Sequence, residues 1–146
     1  MATKRKATAQ WSGTGAEGSG TLSTSNKFFN DTPYSFKTRF KNEDGKEGTN
    51  PEELIAAAHS GCYAMALSFA IAEAGHEAES LEVIAEVILD EVEGGFGITG
   101  ISLDLEGKVP GMSEEQFMEL AEGAKKGCPV SKALSSVPIT LNAKFS

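Results

Sequence analysis

The chain has 146 residues, 40% of them apolar, which suits one domain spanning residues 1–146 around a single core. Its 21 acidic side chains against 13 basic ones leave a formal charge of −8, which repels phosphate backbones and anionic headgroups and argues against nucleic acid or a membrane as partner. Lys4, Arg5 and Lys6 are followed by no apolar stretch, so the opening does not read as a secretory leader and a cytoplasmic protein is expected.

Ala7, Ala9 and Trp11 alternate as in a strand, the segment from Gly13 to Gly20 reads as a loop, and Thr21 to Thr24 returns beside the first strand. Tyr34 to Phe40 reads as a further strand, with Tyr34, Phe36 and Phe40 on one face and Lys37 and Arg39 on the other. Asn50-Pro51-Glu52-Glu53 then supplies an N-cap, a proline at the first helical position and a capping-box glutamate. The helix runs to Ala74, roughly 36 Å at about 1.5 Å per residue, with Gly75 as its left-handed stop.

Small residues crowd this helix, among them Ala58, Gly61, Ala64, Ala66 and Ala72. A glycine inside a helix costs roughly 1 kcal/mol against alanine, so Gly61 suggests a neighbour that needs the space. A long helix with small side chains suits the centre of a two-fold dimer. Its longest nearly unbroken apolar run, Tyr63 to Ala72, is shorter than the roughly 20 residues of a membrane span and reads as core.

Beyond the helix, Leu81, Val83, Ala85, Val87 and Leu89 alternate. Gly94-Gly95 turns the chain, and Ile98, Ile101, Leu103 and Leu105 form the returning strand of an antiparallel hairpin. The alternation slips between Ile98 and Ile101, with Gly100 available for a bulge. Ser113 to Lys126 reads as a helix capped by Ser113 and Gln116 and ended by Gly127, Pro129 starts a short helix, and Val137 to Phe145 closes the chain as a strand.

Cys62 lies mid-helix among apolar neighbours that raise a thiol's pKa, so chemistry there needs a cation. His59, three residues earlier, is on a neighbouring part of the same face, but a histidine hydrogen-bonded at a helix contact explains it as well. Arg39, one of two arginines, is the better cation. Glu53 fills the capping-box place, which leaves Glu52 free to hold a guanidinium by a two-pronged hydrogen bond. About ten helical residues, or about 15 Å, separate Glu52 from Cys62, so the two meet only if the chain meets its twin. Cys128, in Gly127-Cys128-Pro129, falls at the N-cap of a short helix, where backbone N–H groups favour a thiolate, although a plain core cysteine fits there too. Two cysteines and two histidines at these spacings suit no closed metal site.

The run Gly48-Thr-Asn-Pro-Glu-Glu-Leu-Ile-Ala-Ala-Ala-His-Ser-Gly-Cys62, with Met65-Ala-Leu67, resembles the signature of the OsmC/Ohr peroxidases. The likeness continues through Pro33 to Phe40, Val109-Pro-Gly111 and Gly127-Cys-Pro-Val-Ser131, and the Thr-Arg-Phe segment is similar to the OsmC branch. The resemblance implies an α+β fold with antiparallel sheets around a long central helix, in an intertwined homodimer. It implies Cys62 as peroxidatic cysteine, Cys128 as resolving cysteine, and Arg39 and Glu52 as activating residues. It further implies organic hydroperoxides as substrates, a Cys62–Cys128 disulfide, regeneration by an external dithiol, with lipoyl-type dithiols as candidates, and no cofactor. Two other readings compete: a stress-related binding or structural dimer with unreactive cysteines, and a hydrolase using Cys62 with His59 as base.

Overall fold

The computed structural model describes residues 2–146 and has the mixed α+β content that the resemblance implies. The chain divides into two compact units, Met1–Glu53 and Leu54–Ser146.

In the first unit, β1 (Ala7–Ser12), β2 (Ser19–Thr24) and β3 (Thr32–Ser35) form an antiparallel sheet in the order β1-β2-β3. The strand expected from Tyr34 to Phe40 is not one. It stops at Ser35, and Phe36–Phe40 is a short helix, α1. The Ser35 hydroxyl accepts from the Thr38 N–H at 3.2 Å while the Thr38 hydroxyl accepts from the Ser35 N–H at 2.9 Å. That reciprocal capping box satisfies the free donors of a helix start and turns the chain out of the sheet. Phe36 and Phe40, spaced for one strand face, stand one helical turn apart instead, their ring centroids 4.7 Å from each other.

The helix α2 (Pro51–Glu73) begins in the first unit and continues into the second. It ends one residue earlier than expected, in a Schellman motif: Gly75 has φ +86°, its N–H bonds Ala72 O at 3.0 Å, and the His76 N–H reaches Ile71 O at 3.1 Å. In the second unit β4 (Ser80–Val92) pairs antiparallel with β5 (Gly95–Lys108), and β6 (Ile139–Phe145) lies parallel to β5. The expected bulge is present: Ile88 faces Gly100 while Leu89 faces Ile98, so Thr99 is the extra residue. The crossover from β5 to β6 carries α3 (Glu114–Gly127) and α4 (Pro129–Ala133), as a parallel pairing requires.

One stripe of α2, Tyr63, Leu67 and Ile71, is fully buried against Ile101, Leu103 and Leu105 of β5 and Phe117 and Ala121 of α3. His59 continues that stripe one turn earlier and is also fully buried. The helix has 23 residues and an 18-residue stretch with a mean hydropathy of 1.6, long and apolar enough to cross a membrane, although the Tyr63–Ala72 run alone is not. Its Tyr63, Leu67 and Ile71 stripe belongs to the core of the second unit. The opposite stripe, Gly61, Met65 and Phe69, is uncovered, with Met65 63% and Phe69 66% exposed. Among the described residues, nothing lies within 4 Å of where a side chain at Gly61 would begin.

Phe117 packs against Phe145 at 4.8 Å between centroids and lies over Gly107, where a Cβ would collide with the ring. Phe117→Ala is therefore expected to cost about 3–5 kcal/mol in urea unfolding, and a loss under about 1 kcal/mol would refute this packing.

Candidate active site

Of the residues singled out in the sequence, the structure brings together Arg39 with Glu52 and, in the other unit, Cys62 with Cys128.

Glu52 sits in the first turn of α2 and is 8% exposed. A carboxylate so buried needs a partner. Arg39 of α1 supplies one, its Nη2 donating to Oε1 at 2.6 Å and its Nε to Oε1 and Oε2 at 3.1 and 3.2 Å. The guanidinium also lies 5.0 Å from the Phe40 ring centroid and keeps 37% of its side chain exposed, so it is held in place with a charged edge left open. Glu52 is free for this because Glu53 serves the helix start. The Asn50 side chain accepts from the Glu53 N–H at 2.9 Å, and the Glu53 carboxylate accepts from the Thr49 hydroxyl at 2.8 Å. Beside Arg39 is a cavity of about 200 Å³ lined by Trp11, Tyr34, Phe36, Phe40 and Pro51.

Cys128 closes α3 and opens α4. Gly127, expected to end α3, is its last helical residue, and the helix stops at Cys128 because Pro129 follows. A residue before proline is driven from the helical region, and Cys128 has φ −57° and ψ 125°. This kink brings its sulfur to 2.9 Å from that of Cys62. Cys128 is fully buried, whereas Cys62 is partly exposed.

Access and acidity favour different sulfurs. Burial pushes the Cys62 thiol above its usual range, and its hydrogen bond with Cys128 adds to that against a weaker effect of the Val130 backbone. Burial pushes Cys128 up as well. Its interactions with the Cys62 thiol, the Ser131 backbone and hydroxyl and the Val130 backbone outweigh this and hold it below the usual range. The two thiols are shifted in opposite directions, which puts the first negative charge of the pair on Cys128. The sulfurs are close enough to exchange the remaining proton.

His59 does not serve Cys62. Its Nε2 is 2.7 Å from Ser131 Oγ, and burial lowers its pKa, which keeps the ring neutral. The hydrolase reading thereby loses its base, and the helix-contact reading holds. Ser131, 4% exposed, was given no role in the sequence. The spacing that would have flagged it is its position one helical turn after Cys128. Among the described residues, no cluster of three or more His, Cys, Asp and Glu is arranged to hold a metal ion.

A family model described as OsmC-like protein matches residues 43–142. The chain is 46% identical over 142 residues to "Peroxiredoxin OsmC" of Escherichia coli, covering 97% of this chain and 96% of that protein. It is 36% identical over 104 residues to "Organic hydroperoxide resistance protein OhrB" of Bacillus subtilis, covering 70% of this chain and 74% of the relative. The crystal structure of Bacillus subtilis OhrB superposes with a TM-score of 0.78 at 30% identity, over 97% of this chain and 98% of that one.

Proposed function

The chain belongs to the OsmC-like protein family, and on that premise we propose that it is a cysteine-based peroxidase that reduces organic hydroperoxides to alcohols. The observation that carries this reading is the pair of free sulfurs 2.9 Å apart, one accessible and one buried.

Cys62 is the attacking residue, because a hydroperoxide can reach it and cannot reach Cys128. As substrate approaches, the Cys62 proton passes to Cys128 along their hydrogen bond. The Cys62 thiolate takes the terminal oxygen of R–O–OH, the O–O bond breaks, and the alkoxide leaves as alcohol after gaining a proton. Cys62 is now a sulfenic acid. Cys128, again a thiolate, displaces its hydroxyl to form the Cys62–Cys128 disulfide and water. An external dithiol restores both thiols by exchange, with lipoyl-type dithiols as candidates. Arg39, oriented by Glu52, stabilises the thiolate and the charge growing on the leaving oxygen. The aromatic cavity beside Arg39 favours hydroperoxides with an apolar body over hydrogen peroxide. Thiol chemistry of this kind needs neither metal nor organic cofactor, and a reducing cytoplasm keeps the pair ready.

The working unit is a homodimer in which residues 1–146 of each chain act as one OsmC-like domain. The uncovered stripe of Gly61, Met65 and Phe69 on α2 supports this, since a second helix can approach closely over the glycine and cover both large side chains. So does the axial distance of about 15 Å between Glu52 and Cys62 on one helix. We assign Arg39 and Glu52 to the Cys62 of the opposite chain.

Intact mass after one equivalent of cumene hydroperoxide tests the reaction. The reduced chain should lose the mass of two hydrogen atoms and yield a peptide linking Cys62 to Cys128. Persisting free thiols would instead mark a binding or structural dimer.

A further inference from the structure

The cysteine pair does not exhaust the buried polar groups around it. Cys62 and His59 stand one turn apart on α2, and Cys128 and Ser131 one turn apart at the start of α4. The two pairs face each other. His59 Nε2 is 2.7 Å from Ser131 Oγ, Ser131 follows Cys128 by one helical turn and its hydroxyl helps to lower the Cys128 pKa, and Cys128 Sγ is 2.9 Å from Cys62 Sγ. His59, Ser131 and Cys128 are all buried.

The protons in this chain have a direction. A serine hydroxyl has one proton to give. Were it given to His59, the ring proton would sit on Nδ1, a buried atom with no hydrogen-bond partner among the described residues. A buried N–H without an acceptor is rarer and costlier than an unused lone pair. The ring proton therefore belongs on Nε2 and is donated to Ser131 Oγ, which frees the serine proton for the Cys128 sulfur. Burial of His59 keeps this tautomer neutral.

We propose that His59 and Ser131 are positioning residues which aim the Ser131 hydroxyl proton at Cys128 and hold that sulfur as the thiolate that closes the disulfide. The inference rests on the peroxidase reading and assigns the residues that govern its second step. There the Cys128 thiolate forms the S–S bond with Cys62 as the S–OH bond breaks, and the departing hydroxide takes a proton to become water. A slow second step leaves the sulfenic acid open to another hydroperoxide, which oxidises it to sulfinic acid. The other titratable groups near Cys128 are Cys62 and Tyr63 on α2. Tyr63 donates to Ala121 O at 2.9 Å and feels Glu122 of α3, which is paired with Lys125 at 3.3 Å. Lys132 lies on α4 beside Ser131.

Rapid mixing with one equivalent of cumene hydroperoxide, followed by dimedone quench and mass analysis, separates the two steps. Ser131→Ala should slow disulfide closure roughly tenfold or more at neutral pH, the scale of one hydrogen bond to a charged group, and move its pH profile upward. Formation of the sulfenic acid should be no slower than in the parent. Ser131→Thr, which keeps the hydroxyl, should restore closure. His59→Leu should slow it less than Ser131→Ala, and His59→Gln, which keeps an N–H donor, should recover the rate if His59→Leu does not fold. Closure by Ser131→Ala at the parent rate with an unchanged pH profile would overturn the relay while leaving the peroxidase reading intact. If the parent consumed no hydroperoxide, that reading would fall. The relay would still be decided by thiolate absorbance in a Cys62→Ser background, where Ser131→Ala must raise the Cys128 titration midpoint to sustain it.

Discussion

Cys62→Ser is expected to lower steady-state reduction of cumene hydroperoxide by at least about three orders of magnitude, the scale of losing a nucleophile. Cys128→Ser should behave differently. It should still consume one equivalent per site in a single turnover, accumulate a dimedone-reactive sulfenic acid on Cys62, and then stall when the dithiol is the reductant. The contrast matters because the two sulfurs carry opposite advantages. Cys128 is the more acidic and Cys62 the more accessible. Nucleophilic attack requires a thiolate and a trajectory, and a proton crosses 2.9 Å far more readily than a hydroperoxide enters a fully buried position. Were acidity to decide instead, the pattern would invert, with Cys62→Ser keeping the single turnover and Cys128→Ser losing it. Rapid-quench measurement of the first equivalent distinguishes the two assignments.

The parts of the fold legible in the sequence are those fixed by local chemistry. The start of α2 is written in Asn50-Pro51 and its end in Gly75, while the β4–β5 hairpin, bulge included, is written in the alternation of its apolar residues and one glycine. The segment from Phe36 to Phe40 misleads because five residues carry too little periodicity to separate a strand from a helical turn, and the Ser35–Thr38 capping box outweighs the aromatic alternation. Arg39 nevertheless pairs with Glu52, since that pairing depends on residue chemistry more than on the element that presents it. The meeting of Cys62 with Cys128 was implied by family resemblance alone. It depends on a kink before Pro129 and on the packing of elements remote in sequence, which periodicity does not encode. The contact of Ser131 with His59 stayed hidden for the same reason: the two residues lie on different helices, 72 positions apart in sequence.

Arg39→Ala is expected to reduce kcat/KM for organic hydroperoxides by about 10²–10³, the cost of removing one fixed donor to a developing charge. Arg39→Lys should not restore the rate. A lysine offers a single ammonium in place of the planar fork that meets both oxygens of Glu52, so it cannot be held in the same orientation. Glu52→Gln should produce a smaller loss, because the guanidinium keeps its charge and loses only its fixed position. The origin of the arginine is then testable by mixing chains. In a one-to-one mixture of Arg39→Ala and Cys62→Ser subunits, half of the reassembled dimers are heterodimers. If each site takes Arg39 from one chain and Cys62 from the other, each heterodimer has one complete site, and the mixture should regain about a quarter of parental activity. If both residues come from one chain, no heterodimer contains a complete site and the mixture stays inactive. Recovery near a quarter therefore requires a shared site, and its absence after verified subunit exchange would return Arg39 to the chain that carries the cysteine.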